Sequence, residues 1–524
     1  MSDMAINSEP TPMPVLPFAL TALAKFAALA IVALALLYVV WGLYLSGEPL
    51  FAMVVLSLCV GIITIFGFKR FYTVRFIFPA IAAVLIFIAL PVIYTSYVGF
   101  TNYSARNLLT FDRVTSQFLR QVLVDKSTQR PFFLVADNDQ YRVFLPSRTG
   151  EPGGFLSEPI ALDGSAATVG VQKISNPPEK TLALRDTIKL RNQLAKINVV
   201  LPDGTSLSPS GLRNFASIKK LYRQQSDGSL INQIDGAVLT PDQSQGFYLN
   251  QQGETVPPGW RVGVGFKNFK RILFSEGIRQ PIIQIFIWTV VFATMSMVLT
   301  FSLGILLATI LQWPHLKYRK AYRILLILPY AVPAFISILV FRGLFNQNFG
   351  EINFILNAVF GVKPSWFTDP NLARTITLIV NTWLGYPYMM LLGMGYLQSV
   401  PQEHYKAAAL EGAGPVRAFF SITLPQILPP FVPLLIANFS FNFNNVVLIL
   451  LLTRGMPDIQ GTQIPAGQTD ILGSFTYRIG FSDSGQNFGM AGAISTLIFI
   501  IVGLIAYANF TAMRNYAKKK GVAR

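Results

Sequence analysis

Asparagines and aromatic residues recur at helical spacing in the C-terminal part of this 524-residue chain. Asn438, Asn442 and Asn445 stand at i, i+4 and i+7 and so share one helix face, interleaved with Phe439, Ser440, Phe441, Phe443 and Asn444. A second group comprises Asn381, Trp383, Gly385, Tyr386 and Tyr388, and Tyr330 sits between Pro329 and Pro333. All lie within apolar stretches. Neutral amides hydrogen-bond hydroxyls, and rings cover the C–H faces of a sugar, so this set suits a neutral polyhydroxylated ligand. An ionic substrate would call for a charge that these stretches lack. The competing role is structural: Asn and Ser also join membrane helices to one another. Proline inside such a helix frees backbone groups, which is tolerated beside a cavity or a satisfying neighbour.

The elements that hold these residues are membrane spans. About 20 mostly apolar residues cross a bilayer as a helix, and eight stretches qualify: 26–45, 50–68, 76–97, 282–311, 324–344, 375–397, 428–453 and 488–509. At about 1.5 Å per residue, Trp383–Tyr388, Phe441 and Asn445 lie roughly 12–20 Å below one face of a ~30 Å apolar layer. Tyr330 lies slightly deeper. A shared depth favours a binding site over scattered helix glue. The first stretch is longer than a secretory signal, its leader carries Asp3 and Glu9, and no small-residue cleavage site follows. It reads as a retained anchor.

Composition agrees. The chain is 52% hydrophobic and only 13% charged, with a mean hydropathy of +0.48 and a formal net charge of +17. Soluble domains average about 25% charged residues, and disordered chains are far less apolar. The basic residues cluster: Lys69, Arg70 and Arg75; Lys317, Arg319, Lys320 and Arg323; Lys406 and Arg417; Arg514, Lys518, Lys519, Lys520 and Arg524. These fall on one side of an eight-span topology, and the positive-inside rule makes that side cytoplasmic, with both termini. The positive charge is a topology signal, with no nucleic-acid partner implied.

Residues 98–281 interrupt the spans and are too long for a connector. Turn signals punctuate short apolar runs: 131–145 around Asp137-Asn138-Asp139, 197–207 around Pro202-Asp203-Gly204, and two turns in 237–256. A β-rich domain on the outer face is expected. The domain plan is 1–97 (tail and three spans), 98–281 (the inserted domain), 282–511 (five spans) and 512–524 (a basic tail).

The chain lacks the parts of several machines. It has no G-x-x-x-x-G-K-[ST] phosphate loop, so any ATP hydrolysis belongs to a partner. The spans hold no Asp or Glu away from their ends, which removes the usual proton or sodium relay. One cysteine, Cys59, and two distant histidines, His315 and His404, leave no disulfide, no Cys or His metal site and no catalytic triad. No enzyme activity and no cofactor are expected. A passive solute facilitator is the alternative class, and a periplasmic enzyme the least supported.

The loop 399–425 reads SVPQEHYKAAALEGAGPVRAFFSITLP. Ser399 and Gln402 form a capping-box pattern, Gly412 and Gly414 are stop signals, and a short helix is expected over 402–411. Bacterial ABC-importer permeases carry E-A-A-x3-G-x9-I-x-L-P in such a loop. Here Lys406-Ala407-Ala408, Gly412, Ile422, Leu424 and Pro425 match its spacing, with Lys406 where that family usually has Glu; Glu403 and Glu411 are the flanking carboxylates. NTWLGYPYMM (381–390), FNQNFGEIN (345–353), FNFNN (441–445) and IPAGQTD (464–470) resemble the maltose/maltodextrin permease family within it.

That resemblance implies a type I ABC-importer permease of eight transmembrane helices with an Ig-like inserted domain that helps hold a periplasmic maltose-binding protein. It further implies a MalG-like sister permease and a homodimeric MalK-like ATPase whose cleft receives the 402–411 coupling helix. Sugar-contact positions carried over by the resemblance are Tyr330, Trp383, Leu384, Gly385, Tyr388, Phe441, Asn442 and Asn445; Ala334 stands where relatives carry Ser. The substrate implied is maltose or a maltodextrin, or otherwise another neutral oligosaccharide.

Overall fold

The computed structural model describes residues 18–519 apart from 138–139, 148–152, 164, 212, 314 and 484. The chain divides into two compact units, Met1–Ala105 with Gly263–Arg524, and Arg106–Val262. The second is narrower than the expected 98–281 interval, because the flanking residues bond within the membrane unit. Val264 N donates to Phe100 O (2.8 Å), and Asn268 Nδ2 donates to Gly99 O (2.9 Å) and Thr101 O (2.8 Å).

The principal helices of the membrane unit are α1 (Phe18–Leu45), α2 (Pro49–Gly67), α3 (Val74–Gly99), α4 (Glu276–Gln312), α5 (Arg319–Ala331), α6 (Ala334–Leu344), α7 (Pro370–Gln398), α8 (Gln402–Leu410), α9 (Pro415–Phe443), α10 (Val446–Leu452) and α11 (Phe488–Lys519). Among the described residues six helices are long and apolar enough to cross a membrane, or seven if the bent pair α5–α6 counts as one span. This differs from the expected eight, for physical reasons visible in the chain. The fifth expected span turns by 92° between α5 and α6, at Val332-Pro333. The sixth, α7, has 29 residues, but Asn381, Thr382, Trp383, Tyr386, Pro387 and Tyr388 dilute its apolar centre. The seventh is present as α9, which begins earlier than residue 428 and breaks at Asn444–Asn445, leaving the short α10 beyond it. The expected tail from residue 512 continues α11 as helix to Lys519; residues 520–524 lie outside the described range.

Two π-helical turns follow from proline. Leu85–Ala89 precedes Pro91, and Phe419–Thr423 precedes Pro425. Proline clashes with the carbonyl four residues earlier and offers no N–H. Those carbonyls, at Phe87 and Ser421, sit at the centre of each widened turn, which relieves the clash without ending the helix.

The inserted unit is β-rich, as expected. The 131–145 segment forms strands Phe133–Asp137 and Gln140–Pro146, paired Asp137 to Gln140, with the turn residues 138–139 outside the described range. Ile197–Val200 pairs with Ser206–Pro209 across the Pro-Asp-Gly turn. Eight strands make one sheet in the order Arg130–Pro131, Asn214–Ala216, Ser206–Pro209, Ile197–Val200, Ala167–Ile174, Gly154–Ser157, Gln140–Pro146, Phe133–Asp137. Its two edge strands are separated in sequence by Phe132 alone, so the sheet has to curl back on itself, around Leu134, Val143, Leu145, Val199, Leu207 and Phe215. A second sheet of five strands is an antiparallel meander from Tyr222 to Val256. It covers the helix Phe111–Leu119 through a separate core of Val114, Phe118, Leu230, Tyr248 and Trp260. Each of these two sheets closes over its own core, and Ala167–Ile174 pairs in parallel with Ile197–Val200 through a helical crossover.

Within the membrane unit, residues 467–470 tie helix ends together. Arg374 of α7 donates from Nε to Gln468 O (3.0 Å) and from Nη2 to Gln468 Oε1 (2.9 Å), with its guanidinium 5.0 Å from the centroid of Trp288 of α4. Trp288 Nε1 donates to Thr469 O (3.3 Å). Asp470 is wholly buried and accepts from Gly467 N (2.8 Å), Ser474 Oγ (2.8 Å) and Arg478 Nη1 (2.7 Å). The other Arg478 nitrogen reaches Asp458 at 2.7 Å. Burial pushes the Asp470 carboxyl up, against the opposing pull of Arg478 and Ser474. Gly455 is required beside it: its φ is +82°, and a Cβ there would lie 2.4 Å from Asp470 Oδ1.

Removing one partner of a buried ion pair costs about 3–5 kcal/mol, so Asp470→Asn should loosen the loop 453–471. Tryptic cleavage after the exposed Arg454 in the intact chain should accelerate by about two to three orders of magnitude, roughly the factor such a loss implies. An unchanged cleavage rate would contradict this role for Asp470.

Candidate functional site

The asparagines fall where two helices meet. Asn442 is buried at 3% exposure in the last turn of α9, and Asn381 at 5% in the middle of α7. Asn381 Nδ2 donates to Asn442 Oδ1 at 2.7 Å, and Asn445 Nδ2 donates to Asn381 Oδ1 at 3.2 Å. Asn442 Nδ2 donates back along its own helix to Asn438 O (2.9 Å) and to Asn438 Oδ1. Asn445 also caps α10, its Oδ1 accepting from Leu448 N at 3.4 Å. Four amides thus form one chain across the α7–α9 contact and the α9–α10 break. Nothing in it is charged, as the apolar surroundings require.

The aromatic members divide. Trp383 is half-buried and packs edge-on against Phe341 of α6, ring centroids 4.9 Å apart. Leu384 packs against the buried core shared by α4, α6, α7 and α10. Gly385 lets α7 approach α4 closely: a Cβ there would lie 2.7 Å from Thr300 Cγ2. Tyr386 OH donates to Leu326 O of α5 at 3.0 Å. Tyr330, Tyr388 and Phe441 are exposed, at 59%, 41% and 69%, and Ala334 is exposed at the start of α6. The structure therefore joins Asn442 and Asn445 directly through Asn381, holds Trp383, Leu384 and Gly385 in the packing of α7, and leaves Tyr330, Ala334, Tyr388 and Phe441 on the surface. Amides can bond hydroxyls and uncovered rings can cover sugar faces; neither can neutralise a charged substrate. A cavity of about 270 Å³ lies elsewhere, between α3 and α11, lined by Thr95, Ser96, Thr496 and Phe499 among others.

The expected loop helix is present as α8, Gln402–Leu410, with Glu411 as its C-cap and Gly412 at φ +78°. The capping-box expectation is corrected: Pro401 is the N-cap, and Ser399 Oγ donates to Tyr396 O (2.7 Å) at the end of α7. Proline at the junction directs the chain into the helix, and Ser399 is captured by the preceding one. None of α8 is buried; Leu410 is 91% exposed, and Glu403, Lys406, Ala407, Glu411 and Gly412 are exposed with Ala408 half-covered. Among the described residues Lys406, Glu403 and Glu411 form no ion pair with one another or elsewhere. Ile422 lies in the π turn of α9, with Leu424 and Pro425 directly after it.

Two contacts fasten α8 to α9. Tyr405 OH and Thr423 Oγ1 are 2.8 Å apart, and Gln426 Nε2 and His404 Nδ1 3.0 Å. Neither pair stands out in sequence, because the partners are 18 and 22 residues apart in regions of different period. Asn381 carries a partial signal: it is an amide inside an expected span, about 9 Å from its outer end against about 16 Å for Asn442.

Residues 109–265 match the model of the maltose transport system permease protein MalF P2 domain, and residues 300–513 that of the binding-protein-dependent transport system inner membrane component. The chain is 45% identical over 508 residues to the maltose/maltodextrin transport system permease protein MalF of Yersinia pestis, covering 94% of each chain. It is 44% identical over 502 residues to MalF of Escherichia coli (strain K12), covering 94% of this chain and 96% of that one. For Vibrio cholerae MalF the figures are 45% over 515 residues and 96% of each chain. The chain belongs to the MalF family of maltose/maltodextrin transport system permease proteins.

Proposed function

We propose that this chain is the membrane-spanning permease subunit of an ATP-driven ABC importer that carries maltose and maltodextrins from periplasm to cytoplasm. The supporting observation is near-full-length identity of about 45% to MalF proteins, across both the membrane part and the inserted unit. The chain itself is non-catalytic; its lack of a phosphate-binding loop assigns ATP hydrolysis to a MalK-like dimer. A MalG-like permease completes the pathway, and a periplasmic maltose-binding protein delivers sugar, held in part by the inserted unit.

In this reading α7 crosses the membrane despite its diluted apolar centre, and α9 with α10 makes one broken span. That restores eight crossings, with both termini cytoplasmic and the inserted unit periplasmic, in agreement with the basic clusters. Tyr330, Trp383, Leu384, Gly385, Tyr388, Phe441, Asn442 and Asn445 form the sugar site. The exposed α8, with Leu410 at its tip, docks into the ATPase, and the Tyr405–Thr423 and His404–Gln426 contacts carry its movement into α9.

Two substitutions test the site. With its partner subunits in place, Tyr388→Ala and Asn442→Ala should each raise the maltose concentration for half-maximal uptake about tenfold, the effect of losing one ring face or one buried hydrogen bond. If both retain wild-type uptake while ATPase activity is normal, the site assignment fails. For the docking helix, Gly412→Pro forces φ near −65° where the backbone needs +78°. Recovery of the ATPase subunit in pull-downs should fall several-fold, roughly as expected for a strained interface element. Unchanged recovery and unchanged transport would make α8 a mere surface helix.

A further inference from the structure

The amide of Asn381 bonds to both sides of the α9–α10 break. Its nitrogen donates to Asn442, in the last turn of α9, and its oxygen accepts from Asn445, the N-cap of α10. Between them the backbone leaves helical geometry, with Asn444 at φ −112°, ψ 16° and Asn445 at φ −76°, ψ 66°. A helix interrupted over two residues keeps a fixed bend only if something outside it sets the angle. Here one side chain on a neighbouring helix holds the residues on either side.

We infer that Asn381 is a positioning residue, a clasp that sets the angle between α9 and α10, and that sugar competes with it for the same amide atoms. The inference rests on the sugar-site reading for Asn442 and Asn445. Asn442 is buried at 3% exposure, with its amide nitrogen on Asn438 and its oxygen on Asn381. Because both side chains are buried, a sugar hydroxyl that bonds Asn442 Oδ1 takes the place of Asn381 Nδ2. Loading the site therefore releases the clasp and frees α10 to swing against α9. The hinge is bounded on its far side, because α10 continues into Thr453, whose hydroxyl meets that of Thr469 at 2.8 Å in the loop anchored by Asp470. Ligand binding and helix geometry are thus linked through one amide pair, and each biases the other by the same factor.

The clasp makes a prediction about the bend in the absence of sugar. In a Cys59→Ser background, Leu428→Cys on α9 and Val447→Cys on α10 carry spin labels; both side chains are exposed, at 38% and 56%. The full chain with its co-purifying subunits, in lipid nanodiscs, with the binding protein and a non-hydrolysable ATP analogue in both arms, is measured with and without saturating maltose. Maltose should shift the parent distance distribution. Asn381→Ala should reach the shifted distribution without maltose, raising its population about tenfold, as the loss of one to two net amide bonds implies. Asn381→Leu keeps most of the side-chain volume and loses both bonds, so it should match Asn381→Ala; it also carries the test if Asn381→Ala is not recovered from membranes.

If Asn381→Ala, or Asn381→Leu in its place, matches the maltose-free parent, the clasp is overturned. It is overturned equally if maltose leaves the parent unchanged. Tyr388→Ala separates the two readings. A maltose response that survives Tyr388→Ala contradicts the sugar-site assignment, while the clasp still stands or falls on the sugar-free Asn381 variants. A response abolished by Tyr388→Ala, with the sugar-free Asn381→Ala shift intact, supports both.

Discussion

An amide inside a bilayer has no water to bond, and leaving it unpaired in an apolar layer costs several kcal/mol. Four asparagines in this chain meet that constraint by bonding to one another, and the Asn381–Asn442 bond is the link that crosses between helices. Much of the membrane unit depends on it. α7 is held at that point against the last turn of α9, and the same residue reaches the cap of α10. The contacts of α7 with α4, α5 and α6 then follow from small and aromatic residues within one and a half turns: Trp383 on Phe341, Gly385 against Thr300, Tyr386 on the Leu326 carbonyl.

The amide chain also connects the two ends of the proposed mechanism. On one side, α9 leads through its proline-widened turn to Thr423 and Gln426, where α8 is fastened. On the other, α10 leads to a loop clamped by Asp470, Arg478 and Arg374. Both flanks are held by specific polar contacts, and the flexible element between them is the two-residue break. A rigid–hinge–rigid arrangement of this kind turns a small displacement at one end into a rotation at the other.

Much of this was legible in the sequence, for reasons that differ by element. The apolar lengths of α1, α2, α3, α4 and α11 are long enough that composition alone identifies them. The β-hairpins of the inserted unit announced themselves through Pro-Asp-Gly and Asp-rich turns between alternating runs. The helix α8 followed from stop glycines, although its N-cap proved to be Pro401. What escaped were features set by tertiary contact. Val332-Pro333 bends a span by 92°, a direction that no periodicity encodes. The curled sheet depends on which strands become edges, and its parallel pair needs a crossover that the turn signals do not mark. Asp470 looks like an ordinary loop acid until Arg478, eight residues on, closes over it. Of the candidate site, residue types and depth were readable, but the mutual bonding of the asparagines was not, because Asn381 and Asn442 are 61 positions apart.

The central claim is that this permease moves a neutral sugar only when a partner ATPase works on it through α8. The most direct measurement is uptake of radiolabelled maltose into proteoliposomes, comparing the purified chain alone with the chain plus its co-purifying permease, ATPase and binding protein, with and without ATP. Accumulation is expected only in the complete, ATP-supplied preparation. Maltose entry through the chain alone, or accumulation by the complete preparation without ATP, would contradict the claim.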